Sequence, residues 1–169
     1  HLSPLNQKEF DLNRLQNIGP VCQYLSNCTF KQLNPPNEYC PMHTDDMKVS
    51  VVFRNDPDYY KAVLALEAIC FNTNPLDALN AVSNCLSIIQ ATVNKKHPTD
   101  EAMLPFEVTF GIFLCVASAA HIPELQEISD FIDKSVPQKG LSNAFDFAHT
   151  KLKAATSLLR DTINKMKNQ

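Results

Sequence analysis

Cys22, Cys28, Cys40 and His43 crowd a polar, proline-containing stretch, and four such ligands can make a tetrahedral zinc site. Their spacing, with five, eleven and two residues between them, fits no common zinc signature. The same thiols can also pair as disulfides or stay reduced, and ordinary reduced thiols are the expectation. Asn27-Cys28-Thr29 matches the short glycosylation pattern, which says little without secretory context. Cys70, Cys85 and Cys115 lie inside apolar helical patterns and read as small core hydrophobes.

Other reactive side chains are scattered. Asp45 and Asp46 adjoin in a turn-like stretch, and His97 stands in Lys95-Lys96-His97-Pro98, the setting of an exposed loop histidine. His121 and His149 read as structural histidines. No Ser or Cys has a nucleophile's surroundings, and no convergent base, nucleophile and ligand set is visible, so neither a hydrolase nor a bound cofactor is expected. The three glycines, Gly19, Gly111 and Gly140, are far apart, which excludes a glycine-rich phosphate cradle. Fifteen Lys and Arg against 18 Asp and Glu give a net charge of −3, a poor match to nucleic acid. Glu107 is the odd residue, a carboxylate directly before a nearly all-apolar run. Helix-start electrostatics alone would account for it, because negative charge is favoured at the positive end of the helix dipole.

These residues need elements to hold them. The most apolar stretch, 108–120, is about 13 residues long, whereas a spanning helix needs roughly 20, so a buried helix is expected and no integral membrane segment. No charged region followed by an apolar run opens the chain, so no signal peptide is legible there. Leu5, Phe10, Leu12 and Leu15 suit one short helix. Residues 18–57, with Pro20, Pro35, Pro36, Pro41 and Pro57, read as loop-rich, with a short strand at Val49–Phe53 where Val and Phe cluster. Asp56-Pro57-Asp58 starts a helix carrying Ala62, Leu66, Ile69 and Cys70. Asn74 caps the next, with Pro75 in its first turn and an apolar stripe from Leu76 to Val93. A third, central helix covers about 104–120, a fourth runs from Pro123 through Ile132, and a last from Ser142 to Met166. The expected fold is all-α: an antiparallel helical bundle over 58–169, preceded by an irregular, loop-rich segment over 1–57.

Pro75-Leu76-Asp77-Ala78-Leu79 with Asn84-Cys85-Leu86-Ser87-Ile88-Ile89 resembles the Pro-x-Asp-Lys-Leu helix of the vacuolar-protein-sorting-nine domain. That domain is the catalytic bundle of Rabex-type guanine-nucleotide exchange factors. Ala120-His121-Ile122-Pro123-Glu124-Leu125, followed by Phe131-Ile132, is similar to the family's Ala-x-x-Pro-x-Leu and later Tyr-Ile. Phe147-Ala148-His149-Thr150-Lys151-Leu152 is similar to its Tyr-x-x-Thr-x-Leu. The order and spacing of these pieces over about residues 58–160 carry the resemblance.

The resemblance implies an exchange factor for early-endosomal Rab GTPases of the Rab-five subfamily. The family's critical acid lies in Ala-Asp-Asp-x-x-Pro before the central helix. Extending back without gaps from Ala120 and Pro123 sets Glu107 on that acid and Gly111 on the proline, with Asp100 and Glu101 as alternative acids. Thr150 is implied as the second catalytic residue, and Asp77, Pro123, Leu125 and Phe147 as GTPase contacts. Departures are Glu for Asp, Val108 for the second acid, Ala78 for the family lysine and Phe147 for Tyr. They leave room for a different class, a non-catalytic helical module that binds a GTPase without exchange. An F-box-like adaptor is a further alternative, since Leu104-Pro105-Phe106-Glu107-Val108 with Ile112-Phe113 mimics the start of that motif. By analogy, the place of action is cytoplasmic, at endosomes, or a host cytosol reached as a pathogen's effector.

Overall fold

The computed structural model describes residues 20–71, 74–98, 105–122 and 148–154, with isolated positions at 134, 146, 157, 161 and 164. The expected first helix near residues 5–15 lies outside the described residues, as does the one over 123–132. The described residues are mostly helical and contain no strand beyond an isolated bridge between Thr29 and Lys48. The helices are α1 (Pro20–Ser26), α2 (Phe30–Leu33), α3 (Val49–Asn55), α4 (Pro57–Glu67), α5 (Pro75–Lys96) and α6 (Phe106–Ala119). Short 3-10 turns occupy Asn37–Tyr39 and Ala68–Phe71. Residues 148–154 are helical as well.

Capping sets two of the helix starts. The Asp56 carboxylate accepts from the Asp58 and Tyr59 amides, both at 3.0 Å, directly before Pro57 opens α4. Asn74 accepts from the Leu76 amide at 2.9 Å and Pro75 opens α5. Each cap satisfies amides that have no partner within their own helix, and each proline stands where its missing N–H does no harm. At the far end of α5, Lys96 reaches Asp56 at 3.1 Å and Lys95 reaches Asp58 at 3.3 Å. The end of α5 therefore lies beside the start of α4, and the two helices form an antiparallel hairpin, the pair with the most extensive mutual contact.

The central position expected for the apolar run is observed. Beyond its first turn α6 buries Thr109, Phe110, Ile112, Phe113 and every residue from Cys115 to Ala119, and it packs against α1, α3, α4 and α5. Its buried hydroxyls bond within the helix, Ser118 to the Cys115 carbonyl at 2.6 Å and Thr109 to the Pro105 carbonyl at 3.4 Å.

The strand expected at Val49–Phe53 is instead part of helix α3. Its β-branched residues favour a strand by propensity, but Val49 and Phe53 are both fully buried and stand four apart. That is one helical face, and packing it against α6 outweighs a helix penalty of a few tenths of a kcal/mol per valine. The preceding segment is also held in place. Phe30 N–H donates to Met47, Lys31 N–H to Asp45 and Val49 N–H to Cys28, each at 3.1 Å, so residues 28–49 close on themselves as a braced loop. Inside that loop the His43 ring stacks on Phe30 at 3.7 Å between centroids.

Candidate functional site

Glu107 lies in the first turn of α6, exposed, where the aligned amides of the helix favour a negative charge. Pro105 precedes the helix without a side-chain cap. The 148–154 segment approaches this end of α6. Lys151 is buried, at 4 % exposure, and burial lowers its pKa, while the charge of Glu107 opposes that shift and favours the ammonium. Thr150, the neighbour of Lys151, is exposed, as is Asp146, whereas Ala148 and Leu152 are buried and anchor the segment in the core. Glu107 and Lys151, the residue after Thr150, are thus within electrostatic reach of one another.

Asp77 is exposed in the first turn of α5. Pro123, Leu125, Phe147 and both alternative acids, Asp100 and Glu101, lie outside the described residues.

The candidate zinc ligands have separate engagements. Cys28 is buried, with its thiol donating to the Tyr24 carbonyl at 3.4 Å, and Cys40 donates to the Pro36 carbonyl at 3.4 Å. His43 sets Nδ1 against the Pro41 carbonyl at 2.7 Å and Nε2 against Asn37 Oδ1 at 3.2 Å. Cys22 lies in α1, with its side chain outside the described residues. Among the described residues no three His, Cys, Asp or Glu side chains are grouped to hold a metal ion. The core reading fits Cys85 and Cys115, both fully buried, while Cys70 is half-buried and faces the His121 carbonyl at 3.8 Å. His97 is exposed at the end of α5, its ring 5.3 Å from that of Tyr39.

Sequence reasoning missed a buried charge at the other end of α6. Glu67, 4 % exposed, accepts from Arg54 Nη1 at 2.9 Å and from the His121 amide at 3.3 Å, with His121 Nδ1 at 3.8 Å. Arg54 Nη1 also donates to the Ala119 carbonyl at 2.7 Å. One carboxylate and one guanidinium thereby join the ends of α3, α4 and α6. The signal was legible: Glu67 stands eight residues after Tyr59 and four after Val63, on the buried face of α4. A charge on that face calls for a buried partner.

Comparison of the chain with protein-family models, with curated proteins and with solved structures finds no match. Among the described residues no helix is long and apolar enough to cross a membrane.

Proposed function

We propose that this protein is a guanine-nucleotide exchange factor for Rab GTPases, with the Rab-five subfamily as its first expected substrates. One observation supports the reading above others: an exposed carboxylate, Glu107, heads the buried central helix, beside the segment that carries Thr150. A GTPase holds GDP through its phosphate-loop lysine and a Mg²⁺ ion. A carboxylate placed there pairs with that lysine, repels the β-phosphate and disfavours the metal. At partial burial each interaction is worth about a few kcal/mol, enough to speed nucleotide release by orders of magnitude. The helix anchors the acid, because burial of α6 behind its first turn keeps the backbone of Glu107 from yielding. On this reading Thr150 and Asp77 contact the GTPase, together with Pro123, Leu125 and Phe147. The place of action is a cytosol at early endosomes, a host's cytosol if the protein is delivered by a pathogen.

Lys151 favours the second reading, a helical module that binds a GTPase without releasing its nucleotide. A lysine within electrostatic reach of Glu107 would weaken the pull of that carboxylate on the GTPase lysine.

A GDP-release assay across a panel of Rab GTPases separates the two. Exchange requires acceleration of at least about tenfold on one member, a barrier change near 1.4 kcal/mol. Glu107→Ala should return release to the intrinsic rate while costing no more than about 1 kcal/mol of stability, and Asp100→Ala and Glu101→Ala should matter little. Loss of activity in either of those two, with Glu107→Ala intact, would move the acid upstream. Binding without acceleration establishes the module, and no effect on any Rab removes the exchange reading.

A further inference from the structure

The outer faces of α3 and α4 come together at Arg54. On α3 this residue stands one turn after Val51, which is 53 % exposed. Its guanidinium reaches across to α4, where it lies 5.7 Å from the centre of the Tyr60 ring and sets Nη1 2.9 Å from the buried Glu67 carboxylate. Tyr60, Leu64 and Glu67 follow one another at helical spacing, so Leu64, 47 % exposed, stands between the two residues that Arg54 touches. Two exposed aliphatic side chains therefore flank one guanidinium.

That guanidinium is fixed at one corner and open along another edge. Nη1 makes both inner bonds, to Glu67 and to the Ala119 carbonyl at 2.7 Å, while about a third of the side chain meets solvent. Among the described residues no hydrogen bond occupies Nε or Nη2. Those two groups form the fork that grips a carboxylate through two parallel bonds. The exposed charges around it have one sign. Lys48, at the start of α3, and Lys61, directly after Tyr60, are both exposed, and Lys48 bonds the neutral amide of Asn27. The nearby acids are engaged elsewhere, Asp56 with Lys96 and Asp58 with Lys95, and Glu67 is buried. A chain of net charge −3 thus carries a cationic, partly apolar face.

We propose that this face of α3 and α4 is a docking surface for an acidic, amphipathic segment of another protein, whose Asp or Glu carboxylate takes the Nε–Nη2 edge of Arg54 while its apolar side chains cover Val51 and Leu64. Charge complementarity selects this occupant over a neutral or basic one. Because Glu67 and Ala119 already hold the guanidinium, little side-chain freedom is lost when the partner arrives. Tyr60 beside it supplies the aromatic wall on which such arginine anchors depend. Arg54 is tied to the last turn of α6, whereas Glu107 stands in the first, twelve residues and about 18 Å away along the axis. The surface is separate from the acid of the proposed exchange reaction and can be occupied while Glu107 works.

The test titrates the whole chain with a fluorescent, end-blocked, alanine-based peptide of about 15 residues carrying Glu and Leu at helical spacing. A twin peptide with Gln in place of Glu is the comparison. The acidic peptide should bind with a dissociation constant below about 1 mM, roughly tenfold more tightly than its twin, and should loosen as salt rises. Leu64→Glu and Lys61→Glu place a good helix former at exposed positions, and they should weaken binding by about tenfold and about threefold. Ser87→Glu, on the outer face of α5, and Glu107→Ala should leave it unchanged. Equal binding of the two peptides, no binding at about 1 mM, or an affinity that Leu64→Glu leaves intact overturns the proposal. So does binding to phosphatidylserine vesicles in place of the peptide, which would make the face a membrane contact, or a dimer of the chain that Leu64→Glu dissolves.

Discussion

Gly111 shows how a residue's meaning depends on what lies across from it. In the sequence it is an odd glycine in an apolar helix, standing where the resembled family has proline. In the fold it is the point where Pro36 rests on α6, and only a missing side chain permits that approach. Gly111→Ala gains about 1 kcal/mol of helix propensity but forces a proline ring, which cannot swing aside, to move. Overpacking of this kind costs about 1–3 kcal/mol, so a net loss of up to about 2 kcal/mol in urea unfolding is expected. A gain in stability would show that the loop yields freely. Arg54 gives a second test. Arg54→Ala leaves the Glu67 carboxylate buried without its guanidinium, a change worth about 3 kcal/mol for a buried pair, somewhat less here because Arg54 is one-third exposed. Chemical denaturation of Arg54→Ala beside the double variant Arg54→Met, Glu67→Leu should show the single variant as the weaker protein. At this scale the sequence was legible where chemistry is local. Asp56 and Asn74 cap helices with the atoms directly after them. The partners of Gly111 and Glu67 are far away in the chain, and no local pattern names them.

Helices with strong periodicity were legible as elements. The α4–α5 hairpin and α6 follow from apolar spacing plus start signals, with boundaries shifted by only a residue or two at most ends. The exception is α3, where Val49-Ser50-Val51-Val52-Phe53 has the composition of a strand and the burial pattern of a helix. Its seven residues are too few for periodicity to be decisive, and its state is fixed by α6, more than fifty residues later. Val51 tests the assignment because it is exposed in the middle of α3. Val51→Ala should stabilise the protein by about 0.5 kcal/mol through helix propensity, whereas the same change in a strand lowers stability. Thermal melts of Val51→Ala beside the parent protein, with Leu64→Ala as an exposed helical control, read the sign directly.

Several buried ionisable groups among the described residues are neutral acids. Burial raises the pKa of the Cys28, Cys85 and Cys115 thiols and of the Tyr59 hydroxyl. In each case the folded state keeps a proton that the unfolded chain gives up, from about the ordinary thiol value of 9.0 upward. The stability these groups contribute is therefore complete below that value and is lost as pH rises through the folded pKa values. Lys151 has the opposite sign, since its lowered pKa makes the unfolded chain the better proton binder just below 10.5. Tyr24 shifts in the same direction as the thiols and Tyr59, so among the described residues the balance is a net fall. Under reducing conditions the urea midpoint should hold steady near pH 8 and decline above pH 9, at up to about 1.4 kcal/mol per pH unit for each group titrating. A midpoint that climbs between pH 9 and 11 would contradict this balance.

The reach of Arg54 to the Ala119 carbonyl has a consequence for the order in which the chain assembles. The α4–α5 hairpin is built from near neighbours and closes only short loops, so it can form as soon as it exists. Helix α3 is completed later, because although Phe53 meets the nearby rings of Phe30 and Tyr59, the helix it packs against most extensively is α6, made much later. During synthesis the earlier segment must wait, with its apolar face only partly covered, until α6 has left the ribosome. Substitutions inside the hairpin should then slow folding, whereas Phe53→Leu or Arg54→Ala should chiefly hasten unfolding, the kinetic signature of contacts made after the rate-limiting step.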